Sequence, residues 1–425
     1  MGLALFRHAR ICTPRDQGGV LAGQAQGAVL RWDRGAMLCR DGRIVTIGDE
    51  TAILGAIGSA RARDIETEVD CGGRCMIPGF VDPHTHLCFM TPREEEFHAR
   101  LRGSDYLEIL RGGGGILSSV AAVRSATEDD LFAVTRERAL AALALGTTTV
   151  EVKTGYGLCT EAELKQLRVM QRLAGDTPLS VVPTFMGAHA VPLEANGSTE
   201  RYVHQVVTEM LPAVCALPAA ARPRFCDVFC EEGVFSPAHT RAILEAARGA
   251  GLRLKLHADE LHDTGGASLA AALGAVSADH LLAASTAGLR RMTAAGVIAV
   301  LLPATAFTMR RTPARARAMV EMGLPVALAT DCNPGSSFTL SMSFVFALAV
   351  LQMGLTVEEA LTAATLNAAH AVGEGSRVGS LTPGKDADFL LLEGESPAIL
   401  AFSPGVAPVQ RVYKRGVQVF PKEHP

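Results

Sequence analysis

The chain has 425 residues, and 40 Lys and Arg face 44 Asp and Glu, a formal charge of −4. That balance leaves no electrostatic footprint for nucleic acid or for an anionic membrane. A composition of 48% apolar and 20% charged residues is that of a folded chain, not a disordered one. Ten cysteines over this length make no disulfide framework. Cys71/Cys75 and Cys226/Cys230 are spaced C-x3-C, not the C-x2-C of a zinc ribbon. Free thiols, and an N-terminus with Arg7, His8 and Arg10 ahead of any long apolar run, point to the cytoplasm rather than to secretion.

The first seventy or so residues read as short strands broken by turns. In DGRIVTIGDE, Asp41-Gly42 is a hairpin turn entering an alternating strand. From about Pro78 to His370, β-rich runs alternate with helical stretches. There are eight such runs: IPGFVDPHTH, TTTVEVKTGYG, LSVVPTFMGAHAV, RFCDVFCEEGVF, LRLKLHADE, AVSADHLL, VIAVLLPAT and PVALATDCNPG. Between them, Thr160 with Glu163 and Thr356 with Glu359 have capping-box spacing. Ser236-Pro237 reads as a helix start, and Gly249 or Gly251 as its stop. Leu340 to Leu355 is too short and too polar to span a bilayer and reads as a buried helix. The last fifty residues are again β-rich around Pro-Gly and Arg-Gly turns. Strand then helix, repeated eight times, gives an α/β fold: a (β/α)8 TIM-like barrel over residues 78–370. Residues 1–77 and 371–425 combine into a small β-sandwich domain beside it.

Polar residues collect at the C-terminal ends of these runs, where the strands of a barrel converge on one face. Run one ends in Asp82-Pro83-His84-Thr85-His86. Residues i and i+2 of a strand point the same way, so His84 and His86 can address one metal ion. Run five ends in His257-Ala258-Asp259-Glu260, run six in Asp279-His280, and run eight carries Asp331. His84, His86, His257 and Asp331 make an N3O set that suits one Zn2+ or one Fe2+/Fe3+ per chain, with a position open for a water of lowered pKa.

An HxH after strand one, a His on strands five and six and an Asp on strand eight resemble the amidohydrolase superfamily of metal-dependent hydrolases. That resemblance implies a distorted barrel with a small sandwich built from both chain ends, and SLTPGKDADFLLL is similar to the segment that closes the sandwich. Lys153 falls on strand two, not at the end of strand four where a two-metal branch carries a carboxylated lysine, so one metal is expected. Further stretches narrow the resemblance: VDPHTHLCF followed by Arg93, Arg111 before the glycines 112–115, EVKTGYGL with Tyr156, HADE, and ATDCNPGSSFTLSM. They are similar to the branch that opens the ring amide of 4-imidazolone-5-propanoate, giving N-formimidoyl-L-glutamate in histidine degradation.

The resemblance implies a small-molecule substrate whose carboxylate tail is bound by Arg93, with Tyr156, His189, Asn333, Gly335 and Ser336 as further substrate contacts. Glu260, three residues after His257, is placed to move a proton and to touch the substrate. His280 is expected to polarise the ring carbonyl, and Asp331 to share the proton traffic. The glycines 112–115 are not a phosphate loop, since no Lys-Ser/Thr follows them. No nucleic-acid or membrane partner is expected, and a homodimer is left open. The rival readings are a purine- or pyrimidine-type deaminase of the same superfamily and a non-catalytic scaffold.

Overall fold

The computed structural model describes residues 2–61, 64–103 and 115–421. Arg111 and three of the four glycines that follow it lie outside the described residues. Two eight-stranded sheets organise the chain. The first is mixed and draws on both chain ends. It contains β1 (Leu3–Pro14), β2 (Val29–Arg40), β3 (Arg43–Asp49), β4 (Ile65–Asp70) and β5 (Cys75–Pro78), joined by β14 (Phe389–Leu392), β15 (Val409–Lys414) and β16 (Val417–Phe420). Its order is β16-β15-β14-β5-β1-β2-β3, with β4 paired to β1. Two of its hairpins turn on left-handed pairs, Asp41-Gly42 (φ 51° and 81°) and Arg415-Gly416 (φ 48° and 75°). Such turns match the right-handed twist of the flanking strands. Phe6, Phe389 and Tyr413 form the aromatic centre of this sheet's core, the last two stacked 4.4 Å apart.

The second sheet is the barrel: β6 (Phe80–Asp82), β7 (Thr147–Lys153), β8 (Ser180–Ala188), β9 (Phe225–Cys230), β10 (Arg253–Ala258), β11 (Ser277–His280), β12 (Ile298–Leu301) and β13 (Val326–Leu328). They pair in chain order, and every pairing is parallel. Each of the eight β-rich runs supplies one barrel strand. Run one also feeds the mixed sheet. Ile77 and Pro78 pair with Leu390 and Phe389, and the chain steps across at Gly79 before Phe80 enters the barrel. The first and last barrel strands meet just past their ends. Asp331 N–H donates to His84 O at 3.0 Å, and His86 N–H donates to Cys332 O at 2.9 Å.

The helices follow the expected signals with one exception. Ser236 caps Pro237–Gly249, and Met342–Leu351 is a largely buried helix. Thr356 and Glu359 form a capping box at Val357–Ala364, and Arg317 grips the same glutamate. Thr160 and Glu163 do not form one. The helix Thr160–Asp176 starts from Cys159 without a side-chain cap, because the Glu163 carboxylate is taken by backbone amides of the preceding loop. The ten cysteines are all free. No helix among the described residues is long and apolar enough to cross a membrane.

This difference between two look-alike motifs is measurable. Thr356→Ala should cost about 1 kcal/mol, seen as a lower denaturation midpoint. Thr160→Ala should stay within about 0.5 kcal/mol of the parent. Equal losses would contradict the assignment.

Candidate metal centre

The site lies at the C-terminal ends of the barrel strands. His84 Nδ1 donates to Asp279 Oδ2 at 2.6 Å, and His257 Nδ1 donates to Asp227 Oδ1 at 3.0 Å. With the proton fixed on Nδ1, each ring presents a bare Nε2 lone pair. His84 Nε2 is buried without a hydrogen-bond partner and lies 3.4 Å from Asp331 Oδ1. His86 Nε2 is 3.3 Å from His257 Nε2 and 3.7 Å from Asp331 Oδ1. Asp331 Oδ2 is occupied by the Thr305 hydroxyl at 2.7 Å, which leaves Oδ1 for the site. Three imidazole nitrogens and a carboxylate oxygen converging at 3.3–3.7 Å fit a divalent metal. Burial holds His84 and His86 well below the usual imidazole range, and thus neutral, as ligands must be.

Around this set stand the other candidates. His189 stacks on His86 at 4.8 Å and 19°, and Tyr156 lies 5.3 Å from His189 and 6.0 Å from His86 between ring centroids. His280 sits 5.1 Å from His257 and 5.4 Å from His84, and its Nε2 is buried without a partner. Its nitrogens also come within reach of His84 and Asp331. Glu260 Oε1 is 3.6 Å from His280 Nδ1. Burial, reinforced by the nearby Asp331 charge, pushes the Glu260 carboxyl up to about 7. Burial alone pushes Asp331 up to about 7, and a bound cation would reverse that. His280 (φ 76°) and Asp331 (φ 52°) both adopt left-handed backbone, a strained conformation that recurs at functional sites.

Arg93 reaches the site from the loop after β6. Its Nε and Nη1 are buried and make no hydrogen bond, although Glu96 lies 3.3 Å from Nε. Its charge acts on Tyr156 and on His189. The guanidinium lies against Gly335: a Cβ there would stand 1.7 Å from Arg93 Nη2, so a larger residue would have to move it. Asn333 is engaged inside its own turn. Its Oδ1 accepts from the N–H groups of Gly335 and Ser336, and its Nδ2 donates to Asp331 O and Ser336 Oγ.

Beneath the histidines lies a charged layer of which the sequence singled out only Asp279 and Lys153. Glu151 and Lys153 on β7, Asp227 on β9, Lys255 on β10 and Asp279 on β11 are fully buried. Lys153 Nζ is 2.7 Å from Glu151 and 2.8 Å from Asp227, and Lys255 Nζ is 2.9 Å from Glu151. Burial by itself would lower the Lys153 pKa, but the carboxylates of Asp227, Glu151 and Asp279 drive it upward, so the ammonium is retained. The signal available in the sequence is one charged residue inside an otherwise apolar run, two positions from a strand-end residue in Lys255-x-His257 and Glu151-x-Lys153.

The sequence profile of the amidohydrolase family matches residues 75–419. The chain is 59% identical to the imidazolonepropionase of Syntrophobacter fumaroxidans over 98% of its own length and 96% of that protein. It is 57% identical to the imidazolonepropionase of Desulfotalea psychrophila over 99% and 100%. Among solved structures, an atrazine chlorohydrolase from Arthrobacter aurescens complexed with zinc superposes with a TM-score of 0.75 at 19% identity, covering 98% of this chain and 94% of that one. Escherichia coli guanine deaminase superposes with a TM-score of 0.70 at 16% identity and 99% coverage of both. At such identities these two show the shared fold. Profile and relatives together place the chain in the amidohydrolase family and, within it, among the imidazolonepropionases.

Proposed function

We propose that this site hydrolyses the ring amide of 4-imidazolone-5-propanoate to N-formimidoyl-L-glutamate, in a cytoplasmic enzyme of histidine degradation. His84, His86, His257 and Asp331 hold one ion, zinc or iron. The observation that carries the reading is the Arg93 guanidinium, whose Nε and Nη1 are buried without a hydrogen bond, set beside a converging His/Asp cluster. A substrate with both a carboxylate and a hydrolysable ring amide uses both. When bound, the ion supplies an activated water and draws electron density from the ring carbonyl.

The chain's own residues do the rest. Arg93 receives the propanoate tail through its planar fork, with Gly335 and Ser336 lining the same turn and Asn333 holding it. Tyr156 and His189 fix the ring plane. Glu260, poised near neutral pH, accepts the proton of the attacking water at its carboxylate and returns it to the leaving ring nitrogen. Asp331 shares in that proton transfer. His280 directs Nε2 at the carbonyl oxygen as negative charge builds there. Water oxygen bonds to the carbonyl carbon, the ring C–N bond breaks, and the nitrogen leaves protonated.

An anaerobic assay with fresh substrate and metal analysis on the same sample tests this. Loss of ring absorbance above the buffer rate, formimidoylglutamate as product and about one ion per chain are expected. Bound metal without ring opening would move the reading to another ring, deaminase substrates first. Neither metal nor turnover, after reloading with zinc or iron, would leave only a scaffold. Arg93→Met should raise KM roughly 10- to 150-fold, the loss of about 1.5–3 kcal/mol of charged hydrogen bonding, with metal content unchanged. Asp279→Asn should weaken metal retention about 10- to 100-fold in chelator competition, because it removes the charge that orients His84.

A further inference from the structure

The loop after β7 carries Tyr156, and its backbone is held in an unusual way. Four consecutive N–H groups end on two side chains of one helix, Thr160–Asp176. Glu163 accepts Gly155 N–H at 3.2 Å on Oε2, and Gly157 and Leu158 N–H at 2.9 and 2.8 Å on Oε1. Gln166, three residues on, accepts Tyr156 N–H at 3.3 Å. Both side chains are fully buried. The loop needs such a hold, because Gly155 (φ 107°) and Leu158 (φ 50°) both adopt left-handed backbone. It is also pressed onto the helix: a Cβ at Gly157 would stand 2.6 Å from Glu163 N.

The hold extends to other parts of the pocket. Gly155 O is 3.2 Å from His189 Nδ1, so the same loop sets the ring that stacks on His86. Gln166 Nε2 donates to Cys88 O at 2.8 Å and ties this loop to the one running from His86 toward Arg93. That second loop is clamped from the helix Glu128–Ala144. Arg138 donates to the carbonyls of Leu87, Phe89 and Met90 and covers the Phe89 ring at 3.7 Å.

We propose that Glu163, assisted by Gln166, is a positioning residue for substrate binding: it fixes the Tyr156 loop, and through it His189, without touching the metal donors. The proposal rests on the reading of Tyr156 and His189 as substrate contacts. It assigns the Glu163 carboxylate a purpose that capping-box spacing does not suggest. In Glu163→Gln one oxygen becomes an NH2 that cannot accept an amide proton, so at least one of the three loop N–H groups is released. A displacement of about 1 Å at a positioning element can cost up to 100-fold in an enzyme reaction.

The test is steady-state kinetics and amide hydrogen exchange on the metal-loaded full chain and on Glu163→Gln. Expected are a KM raised about tenfold, kcat within about threefold of the parent, unchanged metal per chain, and faster exchange at residues 155–158. A brace with no part in binding would instead lower kcat and metal content together as folded enzyme is lost, at constant KM, and that result overturns the proposal. So does an unshifted KM in a well-folded variant. Should Glu163→Gln not fold, Gln166→Met removes no charge and must show the same split between KM and kcat. Failure of the parent to open the ring would strike the functional reading alone. Exchange at 155–158 then decides the positioning role, and unchanged exchange would sink it.

Discussion

The barrel closes through the backbone of the residues that make its site. Asp331 N–H to His84 O and His86 N–H to Cys332 O are the bonds that bring strand eight against strand one. Just below them, the buried Asp82 carboxyl accepts from Thr330 N–H at 3.1 Å and from its hydroxyl at 2.6 Å. A parallel barrel of short strands has little else to fix the register of its last seam: β6 and β13 have three residues each. Side chains in a strand alternate between faces, so a slip of one residue would turn donor side chains away from the site. Closing the barrel and assembling three of the four donors are therefore one event.

The charged layer under the histidines follows from that geometry. Three carboxylates and two ammonium groups buried in a barrel are expensive, and paired buried charges often stabilise a fold no better than a hydrocarbon core would. Their value lies in what they orient. Asp279 and Asp227 each spend one oxygen on a histidine Nδ1–H, and Lys153 bridges the two carboxylates at 3.7 and 2.8 Å. Against burial, Lys153 and His257 hold the Asp227 carboxyl well below the usual range, whereas burial pushes Asp279 up although Lys255 and Lys153 oppose it. The acids set the tautomer of both imidazoles, and the tautomer aims the lone pairs. Removing any one member would leave a buried charge without its partner, the costly case.

How much of this was legible in the sequence depended on how local the signal was. The eight strands were readable because β-rich runs recur between well-marked helix starts. The clustering of His84, His86, His257 and Asp331 was readable because they stand at strand ends, where one face collects them. Asp227 and Lys255 were not, since a lone charge within a run does not reveal whether it faces the barrel interior, and that is decided only by register with neighbouring strands. Glu163 shows the opposite failure. Its spacing from Thr160 matches that of Glu359 from Thr356, yet only the second pair caps its helix. What differs is the loop before it, whose left-handed residues turn four amides toward the helix. Gly335 reads as a turn glycine, but its close contact is with the guanidinium of Arg93, 242 positions away in sequence.

The site thus has two separately supported halves. The half with the candidate metal ligands is held by the closing seam just past the strand ends and by the charged layer on the strands. The half proposed to bind substrate is held from outside the barrel, by Glu163 and Gln166 on one helix and Arg138 on another, acting on the loops that carry Tyr156 and lead to Arg93. Side chains on the outer helices can change without disturbing strand register, so the loops can be reshaped while the donors stay where closure puts them. Under the proposed function, the strands would specify where a water is activated, and the helix-anchored loops which ring is brought to it.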